Sequence, residues 1–263
     1  MGMRRPIVVA NWKMYKTHRE AVDFVRDFKR RIEGIKATEM TIAPPFTWLE
    51  AVGKELEGTE IRLAAQNVHF ESEGPYTGEI SPMMLVELGC RYVLVGHSER
   101  RRHFCEDAEL IKRKLHAVFG VQLIPIFCIG ESLEERRRGV TERVLERQLK
   151  ISLMDLEIDQ VAQMVISYEP IWAIGTGETA VPEDADRGAA FVRKVITELY
   201  GREAGESIQI QYGGSVTPET AAELIEQANV DGFLVGGASL DPSRFAGIIE
   251  AVEMGVGEEV GSD

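Results

Sequence analysis

Residues 91–101 read RYVLVGHSERR, and the change of character inside that stretch decides the fold. The run RYVLVG (91–96) is apolar after its first residue, does not alternate, and is too short for a helix. A strand buried on both faces reads this way. Polar groups follow at once, and a helical pattern follows them. Seven further segments repeat the theme: IVVANW (7–12), MTIAP (40–44), IRLAAQ (61–66), QLIPIFC (122–128), MVISYE (164–169), SIQIQYG (207–213) and DGFLVGG (231–237). Strands alternating with helices imply right-handed βαβ units and an α/β fold, here a closed (β/α)8 barrel of eight parallel strands. An open doubly wound sheet alternates in the same way. The regular eightfold repeat, with no second compositional region, favours the closed barrel.

The intervening segments carry helix signals. Thr17-His18-Arg19-Glu20 and Ser132-Leu133-Glu134-Glu135 have capping-box spacing. Ser81-Pro82, Thr217-Pro218 and Asp241-Pro242 each place a capping side chain before a proline suited to the first turn. The stretch 183–200 starts acidic, is apolar at helical spacing and ends before Gly201. No linker interrupts the chain, so residues 1–252 read as one catalytic barrel domain. The acidic, glycine-rich segment EMGVGEEVGSD (253–263) reads as an unstructured tail.

Composition narrows the function. The 263 residues hold 30 Lys+Arg against 43 Asp+Glu, a formal net charge of −13. Such a surplus of acid argues against a nucleic-acid groove, which needs a basic stripe. It also poses a question, because an acidic protein repels anionic substrates unless it builds a local positive site. Cys90, Cys105 and Cys128 form an odd, sparse set that reads as reduced thiols. The N-terminal MGMRRPIVVANW lacks a signal-peptide core, and no apolar run approaches the roughly 18 residues of a membrane span. The expectation is a cytoplasmic protein with no membrane and no nucleic-acid partner.

Active sites of such barrels gather where strands end and the following loops begin. Those positions carry Asn11 and Lys13; His97, Ser98 and Glu99; Cys128; Glu169; Gly213-Gly214-Ser215; and Gly236-Gly237. Alone, Lys13 also reads as a solvated cap, His97 as a structural donor and Glu169 as a strand terminator. Together at one mouth they form an electrophile-and-base set. His97, His103 and Cys105 lack metal-ligand spacing, so no metal is expected. Residues 175–180, GTGETA, fit the dinucleotide fingerprint, but that motif needs strand, glycine turn and helix in immediate succession. Here five residues separate it from the strand end, and the match is rejected.

The segments NWKM (11–14), GHSERR (96–101), YEPIWAIGTG (168–177), YGGS (212–215) and LVGGASL (234–240) closely resemble the triosephosphate isomerase family, in order, over about residues 5–252. The resemblance implies a TIM barrel that interconverts dihydroxyacetone phosphate and D-glyceraldehyde 3-phosphate without cofactor or metal, in glycolysis and gluconeogenesis. It implies Glu169 as base, His97 as neutral proton shuttle, and Lys13 as electrostatic stabiliser of an enediol(ate). Asn11 and Lys13 would bind the substrate, with Gly175, Ser215, Gly236 and Gly237 around its phosphate. Ser98, Glu99, Cys128, Trp172 and Tyr212 would support the site. Glu99 would hold the lysine, Cys128 would pack near the base, and Tyr212 would latch a mobile lid over 170–180. Glu178 in the lid hinge and Tyr15 after NWKM depart from residues frequent in the family, and Tyr15 is expected to lie too far along to touch substrate. The resemblance also implies a homodimer through loop 69–81, with Thr77, Glu79 and Arg100 at the interface. A Schiff-base aldolase would instead want an inner-strand lysine where Glu169 stands, and a barrel that only binds phosphate would lack the base or Lys13.

Overall fold

A computed structural model describes residues 4–173 and 181–260. Eight strands follow one another: β1 (Ile7–Asn11), β2 (Glu39–Ala43), β3 (Arg62–Ala65), β4 (Tyr92–Val95), β5 (Ile124–Ile129), β6 (Val165–Tyr168), β7 (Gln209–Tyr212) and β8 (Gly232–Val235). Each pairs in parallel with its sequence neighbours, and β8 returns to β1 to close the barrel. Each observed strand lies within two residues of the segment read from the sequence.

The strands are mostly apolar because both of their faces are covered. Successive side chains point to opposite faces of a strand. Ile7, Val9, Ala43, Ala64, Tyr92, Leu94, Ile126, Cys128, Val165 and Leu234 therefore form a separate core inside the barrel. Their neighbours Val8, Ala10, Ile42, Val93, Phe127, Ile166 and Phe233 turn outward into the larger core shared with the helices.

Local chemistry starts the helices where the sequence places them. Thr17 and Glu20 close a capping box at helix His18–Arg31, and Ser132 and Glu135 do the same at Leu133–Arg137. Ser81 accepts from the Met84 N–H ahead of Pro82. Helix Pro182–Tyr200 is acidic in its first turn and ends at Gly201, whose φ of 88° suits only glycine well.

The far end of the chain corrects one expectation. Helix Pro242–Val260 runs through most of the segment expected to be an unstructured tail. Its Glu253 carboxylate accepts from the N–H groups of Lys36, Ala37 and Thr38 at 2.9 Å and from the Thr38 hydroxyl at 2.8 Å. Four donors supplied by a distant loop fix the helix where local composition favours none.

The barrel's N-terminal end is closed by ion pairs. Asp231 accepts from Arg4 Nε at 2.6 Å, from an Arg193 Nη at 2.6 Å and from the Ile210 N–H at 2.9 Å. A broad groove of about 1250 Å³ lies at this end beside Glu39, Arg62 and Tyr92. It contains none of the strand-end residues named above. Among the described residues, no helix is long and apolar enough to cross a membrane.

Candidate active site

The C-terminal ends of the strands surround a cavity of about 440 Å³. Asn11, Lys13, His97, Glu169, Ser215, Gly236 and Gly237 all line it. One barrel mouth thus collects residues from β1, β4, β6, β7 and β8, as the strand-end reading expects. Residues 174–180 of the expected lid (170–180), Gly175 and Glu178 among them, lie outside the described residues.

Lys13 stands just past β1 at a φ of 51°, a left-handed conformation uncommon for a residue with a side chain. Two contacts hold it there: its N–H donates to Asn11 Oδ1 at 3.0 Å, and Gln66 Nε2 donates to its carbonyl at 2.8 Å. The ammonium reaches across to Glu99 Oε1 at 2.6 Å. The two side chains thus form an ion pair across the mouth.

Glu169 is 2% exposed and follows β6 directly. Its Oε2 accepts from the Ser98 N–H at 3.0 Å, and its Oε1 lies 3.0 Å from His97 Nε2. Gly213 must be glycine for this carboxylate to fit, since a Cβ there would stand 2.7 Å from Glu169 Cγ. His97 caps helix Ser98–His103, its Nδ1 accepting from the Glu99 N–H at 3.3 Å. With Nδ1 occupied as an acceptor, the ring proton of the neutral imidazole sits on Nε2, facing Glu169 and the cavity.

Burial by itself would raise the Glu169 pKa, but the imidazole and the Ser98 N–H outweigh it and hold the carboxyl below its usual value. Burial likewise works to lower the His97 pKa, yet the Glu169 carboxylate prevails and holds the ring above its usual value. These directions are opposite to those expected for a basic glutamate and a histidine kept neutral. The reason is geometric: the two side chains solvate each other at 3.0 Å.

The supporting residues take distinct places. Cys128 is fully buried inside the barrel, and burial pushes its thiol far up, so it packs rather than reacts. The Trp172 indole donates to Glu131 Oε1 at 2.9 Å, and the Tyr168 hydroxyl donates to the same oxygen at 3.2 Å. Ser215 Oγ donates to the Ala173 carbonyl at 3.0 Å, tying the β7 loop to the end of the segment after β6. The Tyr212 hydroxyl is buried without a partner among the described residues.

Loop 69–81 is exposed at its tip, where Thr77 and Glu79 stand. The His69 ring packs at a tilt against Tyr76, with centroids 4.3 Å apart, and Glu79 lies 3.8 Å from His69 Nδ1. Arg100, expected at an interface with Glu79, is bound within its own chain to Glu106 at 2.6 Å.

Several contributors escape the sequence reading. Gln66, which ends the third apolar run, holds the Lys13 carbonyl. Arg101 donates to the carbonyls of Gly96 at 2.7 Å and Cys128 at 2.9 Å, bracing the ends of β4 and β5. Glu131 lies just past β5, within reach of a strand-end search. Tyr15 is among the residues that line the cavity, two residues beyond the left-handed Lys13. Arg244 also lines it, and no motif marked that residue. Among the described residues, no group of three or more His, Cys, Asp or Glu is arranged to hold a metal ion.

A family model described as triosephosphate isomerase matches residues 6–252. Among curated relatives named triosephosphate isomerase, that of Dictyoglomus turgidum is 50% identical over 249 residues, covering 95% of this chain and 100% of its own. That of Symbiobacterium thermophilum is 52% identical, covering 95% and 97%. That of Clostridium botulinum strain Langeland is 48% identical, covering 94% and 99%.

Proposed function

The chain belongs to the triosephosphate isomerase family, and from that premise we propose that it interconverts dihydroxyacetone phosphate and D-glyceraldehyde 3-phosphate through an enediol(ate). The observation that carries the reading is the buried Glu169–His97 pair at 3.0 Å, set across the cavity from Lys13. Glu169 removes the proton on the carbon beside the carbonyl. His97 donates its Nε2 proton to the carbonyl oxygen and returns protons between the two oxygens. Lys13 stabilises the negative charge that develops there.

The unusual pKa directions support this scheme. A substrate carbon and oxygen entering between Glu169 and His97 separate the two groups. Glu169 then keeps its burial and loses the imidazole, so its pKa rises and it becomes a better base. His97 keeps its burial and loses the carboxylate, so its pKa falls and it works as a neutral imidazole. A glutamate base working with a neutral histidine is the known pairing of this same enzyme family, and the two roles come to Glu169 and His97 through that membership.

The phosphate would lie against the backbone at Ser215, Gly236 and Gly237, where glycine allows close approach of N–H groups, with Gly175 joining from the lid. Trp172 and the lid would cover the site and shield the enediol(ate) from loss of phosphate, with Tyr212 as the latch. A homodimer is the expected assembly, through loop 69–81 with Thr77, Glu79 and Arg100. Exposed Met14, Tyr76, Met83, Met84 and Phe104 give that reading apolar area to bury. Sedimentation at twice the chain mass would support it, and a monomer at all concentrations would refute it. Three free cysteines fit a reducing cytoplasm.

Turnover of glyceraldehyde 3-phosphate in heavy water tests the reaction and its route together. Dihydroxyacetone phosphate carrying solvent deuterium is expected. No turnover, or a covalent adduct trapped by borohydride, would refute it.

A further inference from the structure

Lys13 is the cation expected to meet the phosphate, yet its ammonium is 2.6 Å from Glu99. In a chain of net charge −13, that leaves the attraction of a dianion poorly explained. A second basic residue borders the cavity. Arg244 lines it together with Ser215, Gly236 and Gly237, and no ion pair is formed by Arg244 among the described residues.

Arg244 is also unexplained by its own helix. Asp241 caps Pro242–Val260, its Oδ1 accepting from the Arg244 N–H at 2.8 Å, which places Arg244 in the first turn. The positive end of a helix dipole favours acids there and disfavours arginine. A residue that opposes local helix energetics, at the rim of a cavity for an anion, owes its place to something beyond that helix. Two carboxylates stand near it without an ion pair among the described residues: Asp241, which caps the helix N-terminus, and exposed Glu219 on the adjoining helix Pro218–Ile225, whose pKa the arginine helps to lower.

We propose that Arg244 captures and positions the substrate's phosphate, supplying at the rim of the cavity the positive charge that Lys13 has committed to Glu99. This rests on the isomerase reading above and adds to it a specificity residue for the phosphorylated end. The guanidinium raises the local concentration of a dianion and holds it against the backbone N–H groups of the β7 and β8 loops. Its role is positioning, with no part in proton transfer.

The test compares wild type with Arg244→Gln, Arg244→Glu and Arg244→Lys. At low ionic strength, Arg244→Gln is expected to lower kcat/KM for glyceraldehyde 3-phosphate about three- to tenfold, mainly through KM, and Arg244→Glu more. The loss should shrink as salt rises and screens the charge. Arg244→Lys should recover most of it. Inhibition by inorganic phosphate should weaken in parallel, whereas the ratio of kcat/KM for glyceraldehyde 3-phosphate to that for free glyceraldehyde should fall. Thermal midpoints should hold or rise in Arg244→Glu, since an acid suits that helix position. Active wild type with variants of unchanged salt dependence and unchanged phosphate inhibition would overturn this inference alone. A wild type without isomerase activity would overturn the functional reading and the inference with it.

Discussion

Each end of the barrel holds a buried carboxylate, and the two are treated differently. Asp231, at the N-terminal end, is met by two guanidinium groups at 2.6 Å and a backbone N–H. Glu169, at the C-terminal end, is met by one imidazole at 3.0 Å and one backbone N–H, and both it and the imidazole line a cavity. Arginine stays charged under all ordinary conditions and its planar fork suits a carboxylate, so Asp231 is locked. An imidazole can give up or share its proton, so Glu169 is held but can be released. The number and kind of partners decide whether a buried acid closes a fold or serves a reaction.

The contrast can be broken most sharply at Glu169. Glu169→Gln is expected to lower kcat by about 10²–10⁴-fold or more, with analogue binding largely kept. Its thermal midpoint should stay level or fall modestly at neutral pH, because the folded pocket favours the carboxylate over the neutral acid while the amide can still accept from Ser98. A coupled assay and a melting curve check both halves, and near-wild-type turnover would sink the assignment.

The reverse should hold at the other end. Asp231→Ala leaves the mostly buried Arg193 without its carboxylate, at an expected cost of about 3–5 kcal/mol of stability by denaturant unfolding. The kcat of the folded fraction should change little, since no group at the cavity is touched. A comparable loss in kcat would show that the two ends are not separable.

The smallest effect is a titration. With the imidazole in place, the Glu169 pKa lies below its usual value, so the carboxylate persists as pH falls and takes a proton only beneath the ordinary range. His97→Gln removes the imidazole and leaves burial, which favours the neutral acid. Protonation should therefore begin at higher pH in that variant, as followed by carboxyl carbon NMR. No upward movement would mean that His97 does not set the Glu169 charge.

Much of this was legible in the chain. YVLV and its seven counterparts mark strands, most of them through a continuous apolar run, a signal that depends only on neighbours in sequence. Lys13, His97 and Glu169 follow from asking what stands where those runs stop. Glu253 shows the opposite case: its helix looks like a disordered tail until the loop at 36–38 supplies four hydrogen-bond donors. Gln66 and Arg101 were visible as residues, but their carbonyl partners were not.

The sequence by itself determined the repeating unit, the number of repeats and the chemical groups delivered to one mouth, because periodicity and strand ends are local properties. Tertiary structure alone decided what each group faces. It set Lys13 against Glu99, made Glu169 and His97 solvate each other, and turned Tyr15 and Arg244 into the cavity wall. Charge state and reactivity follow from distances of about 3 Å between residues far apart in the chain, and only closing the barrel sets those distances.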